Sequence, residues 1–368
     1  MFLVDFRAHN RLQKTNDALL LWTHVMSNTT VSRSRGSIRI AQSLWYTAPH
    51  TVEIRSERLP PAPSGWLTIE THYSAISRGT EQLIWRGAIA ESEWQRMRAP
   101  FQDGDFPFPV KYGYSAAGQV IEGPKEWVGL NTFALHPHQD IFCLPPERVI
   151  RVPDHIPLKR ATLAANMETA LNGVWDSAAA PGDRIVIVGA GVVGLLIAYL
   201  TAGLPGTKVD VIDPVAERRT LVEAFGAAFH PPGPDTIDKL GSDADIVFHA
   251  SATAPGLQSA IDLSGFEARL VEMSWYGDRP VEISLGGAFH AKRLTVISSQ
   301  VGHVATSHRA RWTHTRRLET AAALLDDDRL DQLLAGTIAF DDLPGRIADI
   351  LQGNEGGLSP VIAYGPAN

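Results

Sequence analysis

Two patterns of hydrophobic and polar residues divide the chain. From Ile38 to about Pro153, short runs of alternating apolar and polar residues are separated by Pro and Gly, which is typical of β-strands joined by turns. From about Leu158 the apolar spacing becomes helical, and segments with strand and helix character then alternate. Such alternation predicts a parallel sheet covered by helices on both faces. The expected fold class is therefore α/β, with a β-rich part preceding a doubly wound parallel sheet.

The same patterns predict individual elements. Helices are expected at residues 158–178 and at Arg316–Leu325. Strands are expected at Leu67–Tyr73, Ala117–Ile121 and Thr132–Leu135 in the β-rich part, and at Arg184–Val188, Lys208–Ile212, Ile246–His249, Arg269–Met273 and Leu294–Ser298 in the alternating part.

Residues 1–37 differ from the rest of the chain. Met26 is followed by a polar, basic segment, SNTTVSRSRGS, and the apolar patch before it lacks the cleavage site of a signal peptide. Two interpretations remain open: a disordered extension, or a start codon assigned too far upstream, with Met26 as the true first residue. We assign no function to this segment.

Composition restricts the class of protein. A length of 368 residues favours two domains, and 44% hydrophobic with 20% charged residues is ordinary for a soluble protein. A net charge of −7 argues against a general nucleic-acid partner. Cys143 is the only cysteine, which excludes a disulfide framework and is compatible with the cytoplasm. No apolar run reaches the roughly 18–20 residues of a membrane span.

A glycine-rich turn provides the strongest functional motif. The apolar strand that begins at Arg184 leads into the sequence Gly-Ala-Gly-Val-Val-Gly. In this G-x-G-x-x-G pattern, Gly189 permits the tight turn, Gly191 leaves room for a pyrophosphate, and Gly194 lets the helix pack closely on the strand. The free N–H groups at the start of that helix, which include Val192 and Val193, face the phosphates.

The next strand ends in an acidic residue at the expected place. Asp213 lies 24 residues after Gly189 (213 − 189), near the roughly 20 expected for the carboxylate that accepts hydrogen bonds from the adenosine ribose. A carboxylate there repels a 2′-phosphate, so the predicted cofactor is NAD(H). Arg218, just beyond, is a candidate to cover the adenosine ribose, and a solvated helix residue is the equally open alternative.

Three motifs resemble those of the medium-chain dehydrogenase/reductase superfamily, the alcohol dehydrogenase-like proteins. Ser77–Glu81 (SRGTE) occupies the place of the family's C-x-T-D-like segment, Gly113–Ser115 that of its G-H-E, and Pro181–Asp183 that of its P-G-D. The S-x-G-T-E form is most similar to the branch that contains bacteriochlorophyllide dehydrogenase. The resemblance implies a GroES-like domain at residues 38–165 plus 300–368, a Rossmann NAD-binding domain at 166–299, and a homodimer formed through the Rossmann sheet edge.

The chain departs from this family at the catalytic zinc. The position of the Cys ligand falls on Arg78, or on Ser77 if the gap is placed differently. The His ligand is replaced by Tyr114, and the third ligand position falls near Ala164. None of these side chains binds zinc well, so we expect no metal at the usual site.

The resemblance implies several catalytic candidates in place of the metal. Thr80 matches the hydroxyl that relays a proton, or is a structural turn residue. Tyr114 either donates a hydrogen bond to the substrate oxygen or fills the space of the metal. Arg78 either binds an anionic substrate or pairs with Glu81.

The segment Leu135–Asp140 (LHPHQD) carries two histidines, and by the resemblance it lines the substrate pocket. His136 and His138 share a face with Asp140 if the segment is a strand, although Pro137 makes regular strand geometry uncertain. Three roles remain open for this segment: acid/base catalysis or substrate binding, a structural role, and a relocated metal site.

Residues that follow strands of the parallel sheet are further cofactor candidates, because ligands bind beyond the carboxyl ends of such strands. Ser274 is expected near the nicotinamide, and Ser298 and Ser299 near its carboxamide.

The leading interpretation is an NAD(H)-dependent dehydrogenase/reductase that transfers hydride between a small alcohol and a ketone without zinc. A zinc-free quinone or enoyl reductase that reduces a C=C bond is the second. A non-catalytic NAD(H)-binding protein is the third.

Overall fold

The structure is a computed structural model that describes residues 38–365. The segment 1–37, for which two interpretations were open, lies outside the described residues, as do residues 366–368 of the predicted first domain. Among residues 38–365, no helix is both long and apolar enough to cross a lipid bilayer.

The described residues form three sheets with helices between and around them. The strands are β1 (Arg39–Ala48), β2 (Thr51–Leu59), β3 (Leu67–Ala75), β4 (Asp103–Gly104), β5 (Val110–Lys111), β6 (Ala116–Glu122), β7 (Asn131–Ala134), β8 (Ile141–Leu144), β9 (Ile150–Arg151), β10 (Arg184–Val188), β11 (Lys208–Ile212), β12 (Ala228–His230), β13 (Ala244–His249), β14 (Ser264–Glu272), β15 (Thr295–Ser298), β16 (Leu334–Ala339) and β17 (Ser359–Ala363). The α-helices are α1 (Arg78–Arg86), α2 (Leu158–Ala161), α3 (Ala164–Ser177), α4 (Val192–Ala202), α5 (Arg219–Ala224), α6 (Pro234–Leu240), α7 (Ala254–Leu263), α8 (Ala288–Ala291), α9 (His314–Ala323) and α10 (Leu343–Gln352).

The β-rich part contains two sheets. The smaller has the order β2-β1-β5-β4, and the larger runs β16-β17-β3-β6-β7-β9, with β8 also paired to β3. Strands β16 and β17 come from the C-terminal part of the chain. Val361 of β17 lies opposite Ala75 of β3 in antiparallel register. Strands β16 and β17 are thus built into the sheet whose strand β3 leads into Ser77–Glu81, the N-cap and first turn of α1.

The second part is a six-stranded parallel sheet with the order β12-β11-β10-β13-β14-β15. This is the doubly wound Rossmann order, in which the strand order reverses between β10 and β13 and leaves a crevice at their carboxyl ends. The strands predicted at Arg184–Val188 and Lys208–Ile212 are confirmed with their exact bounds. Strand β14 begins earlier than predicted, at Ser264, because Ser264 also pairs with Ala244 of β13.

The prediction of a single helix at residues 158–178 is wrong in one respect, because the structure has two helices there, α2 and α3. Thr162, between them, donates its hydroxyl hydrogen bond to the backbone oxygen of Lys159 at 2.7 Å. The hydroxyl of Ser115 in turn donates to the backbone oxygen of Thr162. Hydroxyl groups that bond the local backbone compete with helical hydrogen bonds, which explains the break.

One hydrophobic core connects the two parts. Ala117, Phe133 and Ile150 of the β-rich sheet are buried in the same cluster as Ile185 and Ile187 of the Rossmann sheet. Helix α9 contributes Leu318 and Ala321 to this cluster, although we assigned residues 300–368 to the first domain. The domain boundaries therefore remain a prediction.

A buried ion pair joins α9 to α3. Arg317 donates from Nε to the Glu168 carboxylate at 3.0 Å, and both side chains are nearly inaccessible (1% and 5% exposed). Arg317 also donates to the side-chain oxygen of Asn172 at 2.5 Å and to the backbone oxygen of His303 at 3.1 Å. Burial raises the pKa of Glu168, and the charge of Arg317 opposes that rise.

We predict that Arg317→Met destabilises the protein by on the order of 3–5 kcal/mol, because it leaves a buried carboxylate without its partner. Urea denaturation followed by circular dichroism measures this loss. The matched control is Arg316→Met on the same helix, because Arg316 is exposed and its main contact is the Trp312 ring, 3.8 Å away. The control substitution is expected to lower the free energy of unfolding by about 1 kcal/mol or less. Equal effects of the two substitutions would contradict the prediction.

Candidate functional site

The turn between β10 and α4 excludes side chains at two of its three glycines. Gly189 has φ 112°, a conformation that disfavours L side chains, and a Cβ on Gly194 would lie 1.9 Å from the backbone oxygen of Gly189. By contrast, a Cβ on Gly191 would meet nothing within 4 Å, so this glycine borders open space. The three glycines thus have the geometry predicted from the sequence.

The start of α4 has the features of an anion site. Gly191 is the N-cap residue, and no side chain caps the helix. The first N–H groups of a helix have no acceptor within the helix, so the amides around Val192 and Val193 are available to a ligand. The positive end of the helix dipole adds to their attraction for phosphate. These residues fit the pyrophosphate of a dinucleotide.

Asp213 has a role that the sequence did not reveal. Its carboxylate accepts hydrogen bonds from the backbone N–H of Ala190 at 2.7 Å and of Val215 at 2.9 Å, and from Arg218 Nη1 at 2.7 Å. A carboxylate offers about four acceptor positions, so about one remains for a ribose hydroxyl. Asp213 therefore fixes the glycine turn as well as standing where the ribose is expected, and Arg218 partly neutralises its charge.

Arg78 is the first residue of α1, and backbone oxygens in and just after α10 bind its guanidinium. It donates from Nε to the backbone oxygen of Ile350 at 2.6 Å, and from Nη2 to the backbone oxygen of Glu355. Burial, and then the charge of Arg218, lower the pKa of Arg78. Arg78 does not pair with Glu81 in this structure, because its guanidinium donates to these backbone oxygens instead.

Tyr114 and Thr80 lie together where the resemblance implied a zinc site. The hydroxyl of Tyr114 donates to Thr80 Oγ1 at 3.3 Å. The ring of Tyr114 packs against both large hydrophobic clusters, so it lies where the β-rich part meets the Rossmann part. Burial raises the pKa of Tyr114, while hydrogen bonds with Ser77 and Thr80 oppose the rise. Tyr114 is therefore a protonated hydrogen-bond donor at neutral pH.

His136 and His138 do not share a face, which corrects the strand expectation. Strand β7 ends at Ala134 and β8 begins at Ile141, so the segment that contains Pro137 is irregular. The ring of His136 stacks on Phe142 with centroids 3.8 Å apart. Burial lowers the pKa of His136 to about 3. His136 is thus neutral near pH 7, which argues against its use as a proton carrier there.

The third member of the predicted face points elsewhere. Asp140 accepts a hydrogen bond from the backbone N–H of Gln42 at 2.8 Å. Within residues 38–365, no group of three or more His, Cys, Asp or Glu side chains is arranged to hold a metal ion. The H-x-H-x-D spacing therefore does not form a relocated metal site in the described part of the chain.

His138 belongs to a buried polar network with Glu81. Its Nε2 lies 3.0 Å from Glu81 Oε2, and its Nδ1 lies 2.8 Å from Ser74 Oγ. Glu81 also accepts from the Tyr46 hydroxyl at 2.7 Å and from the backbone N–H of Ser77 at 2.8 Å. This network holds the start of α1, and with it Thr80, against the β-rich sheet. No local pattern predicts this network, because its members are far apart in the chain.

The candidates at the carboxyl ends of β14 and β15 are in different surroundings. Ser274 Oγ accepts from the backbone N–H of Ala252 at 3.1 Å, so it joins the loops after β13 and β14. Ser298 is exposed at the end of β15. Ser299 donates to Asp176 Oδ2 at 2.7 Å, which turns it toward α3. The structure brings Ser274 to the crevice, whereas Ser299 is committed to a structural contact.

The loop after β14 lies between the two parts of the molecule. Trp275 packs against the hydrophobic cluster of the β-rich part. A Cβ on Gly277 would lie 2.5 Å from the backbone oxygen of Ala88 and 2.9 Å from Leu83 Cδ2. The loop therefore contacts the end of α1, the helix that carries Thr80.

Comparison with known proteins identifies relatives of this architecture. No family model matches the chain. The chain is 23% identical over 303 residues to D-guloside 3-dehydrogenase from Escherichia coli K12, which covers 75% of this chain and 86% of that protein. It is 23% identical over 222 residues to an uncharacterized zinc-type alcohol dehydrogenase-like protein from Haemophilus influenzae, covering 58% and 60% of the two chains.

Two solved structures have the same fold. An alcohol dehydrogenase from Escherichia coli CFT073, complexed with NADH, superposes with a TM-score of 0.70 at 16% identity, over 88% of this chain and 99% of that one. A dehydrogenase from Sinorhizobium meliloti 1021, bound to NADP, superposes with a TM-score of 0.69 at 16% identity, over 88% and 99%.

The predicted fold class and family resemblance are therefore confirmed. The chain has a GroES-like β-rich part plus a Rossmann sheet, and its relatives include a sugar-derivative dehydrogenase and a zinc-type alcohol dehydrogenase-like protein. The closer likeness to the bacteriochlorophyllide branch remains a prediction.

We predict that most tyrosines of the folded protein ionise late. The chain has seven tyrosines, and burial is the main cause that raises the pKa of six: Tyr46, Tyr112, Tyr114, Tyr199, Tyr276 and Tyr364. A raised folded-state pKa favours folding below the unfolded value of about 10, and that contribution is lost as the pH rises further.

Tyrosinate absorbance during alkaline titration, recorded together with circular dichroism, measures this effect. Tyrosinate should appear mainly as the protein unfolds, and Tyr114→Phe should remove part of the late signal. Ionisation of most tyrosines near pH 10 in a protein that is still folded would contradict the prediction.

Proposed function

We propose that this protein is an NAD(H)-dependent oxidoreductase that transfers hydride between a small alcohol and a ketone without a catalytic zinc ion. The observation that carries the proposal is the uncapped start of α4 beside the carboxylate of Asp213. Free backbone amides suit a pyrophosphate, and a neighbouring carboxylate suits a ribose hydroxyl. The bound nicotinamide supplies the hydride acceptor or donor, and the residues described above position it and handle the proton.

Tyr114 and Thr80 are the residues proposed to replace the metal. The Tyr114 hydroxyl, when it turns its proton from Thr80 Oγ1 to a ketone oxygen, stabilises the negative charge that develops there during reduction. Its 3.3 Å contact with Thr80 Oγ1 provides a second hydroxyl through which a proton can pass. Neither residue is a zinc ligand of the usual kind, so the donor set favours hydrogen bonding over Lewis-acid catalysis.

NAD(H) is the proposed form of the cofactor. Asp213 is nine-tenths buried and stands at the tip of β11, where its charge opposes a 2′-phosphate. Arg218 weakens this opposition, because its guanidinium is 2.7 Å from the same carboxylate and is 28% exposed. The expected preference for NAD(H) over NADP(H) is therefore moderate in size.

A small polar molecule is the proposed substrate. The relative from Escherichia coli K12 is a D-guloside 3-dehydrogenase, which makes a sugar derivative or other polyol a reasonable first class to test. A quinone or enone, reduced at its C=C bond, is the alternative that the same assay distinguishes.

The edge of the Rossmann sheet is the proposed homodimer contact. Strand β15 pairs only with β14 among the described strands, and its side chains are largely exposed, with Val296 at 45%. An exposed edge strand with apolar side chains is a template for pairing with a second copy.

The domain boundaries given above and a cytoplasmic location complete the proposal.

We predict that Asp213→Ala weakens NADH binding about 10- to 100-fold, because it removes hydrogen bonds to a charged group and loosens the glycine turn. Calorimetric titration with NADH and NADPH measures both affinities, and the preference for NADH should shrink. Asp210→Asn is the control, because Asp210 is on the same strand but contacts His230 at 2.7 Å. An unchanged NADH affinity in Asp213→Ala would remove Asp213 from the site.

We predict that Tyr114→Phe lowers kcat about 100- to 10,000-fold, as expected when a general acid is lost. The assay follows NADH absorbance over a panel of sugar derivatives, ketones, enones and quinones. Tyr199→Phe is the control, since Tyr199 packs on Phe225 in the Rossmann part. Activity in the parent protein should survive dialysis against a chelator, and a requirement for added zinc would overturn the metal-free mechanism.

A further inference from the structure

Three side chains meet at the carboxyl ends of β13 and β14, outside the Tyr114–Thr80 site. His249 and Glu272 are the last residues of these strands and lie directly opposite each other in parallel register. His249 Nδ1 is 2.9 Å and 2.8 Å from the two carboxylate oxygens of Glu272. On the other side of the ring, Nε2 is 2.7 Å from Ser251 Oγ. The result is a serine, a histidine and a glutamate in one line.

The neighbouring donors fix the direction of these hydrogen bonds. Glu272 accepts from the backbone N–H of Ser274 at 2.8 Å and from the Tyr276 hydroxyl at 3.1 Å, so it acts as a carboxylate. The proton of His249 then belongs on Nδ1, which faces the carboxylate, and leaves Nε2 as an acceptor. Ser251 therefore donates its hydroxyl proton to His249 Nε2.

A second chain of hydrogen bonds orients the serine from behind. The backbone N–H of Gly256, in the first turn of α7, donates to Thr253 Oγ1 at 3.2 Å. Thr253 Oγ1 lies 3.0 Å from Ser251 Oγ, and its hydroxyl proton is free to be donated there. A Cβ on Gly256 would be 2.2 Å from Ser251 Oγ and 3.0 Å from His249 Nε2. The glycine is what allows the serine hydroxyl to reach the histidine.

Burial and location suit a reactive group. The side chain of His249 is inaccessible and that of Glu272 is 13% exposed, whereas Ser251 is half-buried. The backbone of Ser251 packs beside the glycine turn, because a Cβ on Gly189 would lie 2.8 Å from the Ser251 nitrogen. The positive end of the α7 dipole lies beside the hydroxyl and favours negative charge there.

We propose that Ser251, His249 and Glu272 form a catalytic triad that hydrolyses short-chain carboxylic esters, an activity separate from the oxidoreductase reaction. A nucleophile, a base within hydrogen-bond reach of it and a third group that orients the base are the parts such catalysis requires. No metal or cofactor is needed for this reaction, and water is the co-substrate.

The reaction proceeds in two steps. Ser251 Oγ bonds to the ester carbonyl carbon while its proton moves to His249 Nε2; the carbon–oxygen bond to the alcohol then breaks, and the alcohol leaves with that proton. In the second step a water molecule attacks the acyl carbon, and its proton passes to His249 Nε2. The bond between Ser251 Oγ and the acyl carbon breaks, the serine regains the proton, and a carboxylic acid leaves. Glu272 orients the imidazole and stabilises its cationic form throughout.

A fluorophosphonate probe and p-nitrophenyl acetate test this triad on the full-length protein. Mass spectrometry should find the phosphonate on Ser251, and Ser251→Ala should lose both the adduct and the esterase activity, by about 100-fold or more. Absence of an adduct in the folded parent protein, or an adduct at a different residue, would overturn the triad.

Gly256→Ala provides a test that removes no functional group. Its methyl group displaces the Ser251 hydroxyl from His249, so labelling should slow at least about 10-fold, while alanine is the better helix former at that position. Ser259→Ala is the matched control on α7, because Ser259 donates to the backbone oxygen of Pro255 and is away from the triad. Its labelling rate should equal that of the parent, and an unchanged rate in Gly256→Ala would also overturn the proposal.

The same assay separates this inference from the proposed cofactor. If the crevice holds NADH, then saturating NADH should slow the labelling of Ser251 by competition for space. Labelling of Ser251 that NADH does not slow would support the triad and count against the dinucleotide proposal alone.

Discussion

The close approach of two backbone segments at the carboxyl edge of the Rossmann sheet determines the organisation of the crevice. The oxygen of Gly189 occupies the place of a Cβ on Gly194, and the loop after β13 occupies the place of a Cβ on Gly189. With no side chain between them, the start of α4, the carboxylate of Asp213 and the backbone of Ser251 converge on one small region. Larger residues at either glycine would separate these groups, and the anion site would lose its shape.

A buried hydrogen-bond network lies at the junction of the two parts, beside Thr80 and Tyr114. Glu81 and His138 are almost completely buried (1% and 0% exposed), yet both are satisfied by partners. Buried polar groups are costly when unpaired, and a fully paired network holds its members in one arrangement. Thr80 and Tyr114 lie beside this network, so their positions are set by the same contacts. The hydroxyl groups of Thr80 and Tyr114 are thereby held 3.3 Å apart.

The sequence predicted the features that depend on neighbours in the chain. The glycine turn, the strands β10 and β11, and the position of Asp213 follow from local spacing and apolar periodicity. The break near Thr162 and the irregular segment around Pro137 were missed or only partly anticipated, because side-chain competition with backbone hydrogen bonds decides them.

Contacts between distant residues were beyond local reasoning. Arg317 and Glu168 are 149 positions apart, and only the packing of α9 on α3 joins them. His249 and Glu272 are separated by 23 positions, yet strand register places them side by side. One sequence signal was available for the second pair, since His249 ends one predicted strand and Glu272 is the last but one residue of the next, and the carboxyl ends of parallel strands lie on one edge.

The contact of Gly277 with the end of α1 has a mechanical consequence. The segment from Glu272 to Gly277 starts on a Rossmann strand and ends against Ala88 and Leu83 of the β-rich part. Any hinge motion that widened the cleft would therefore pull on this short segment, whose Ser274 amide is bonded to Glu272. Opening of the cleft and the orientation of the His249 imidazole are thus coupled. A ligand that closes the cleft would also restrain the imidazole.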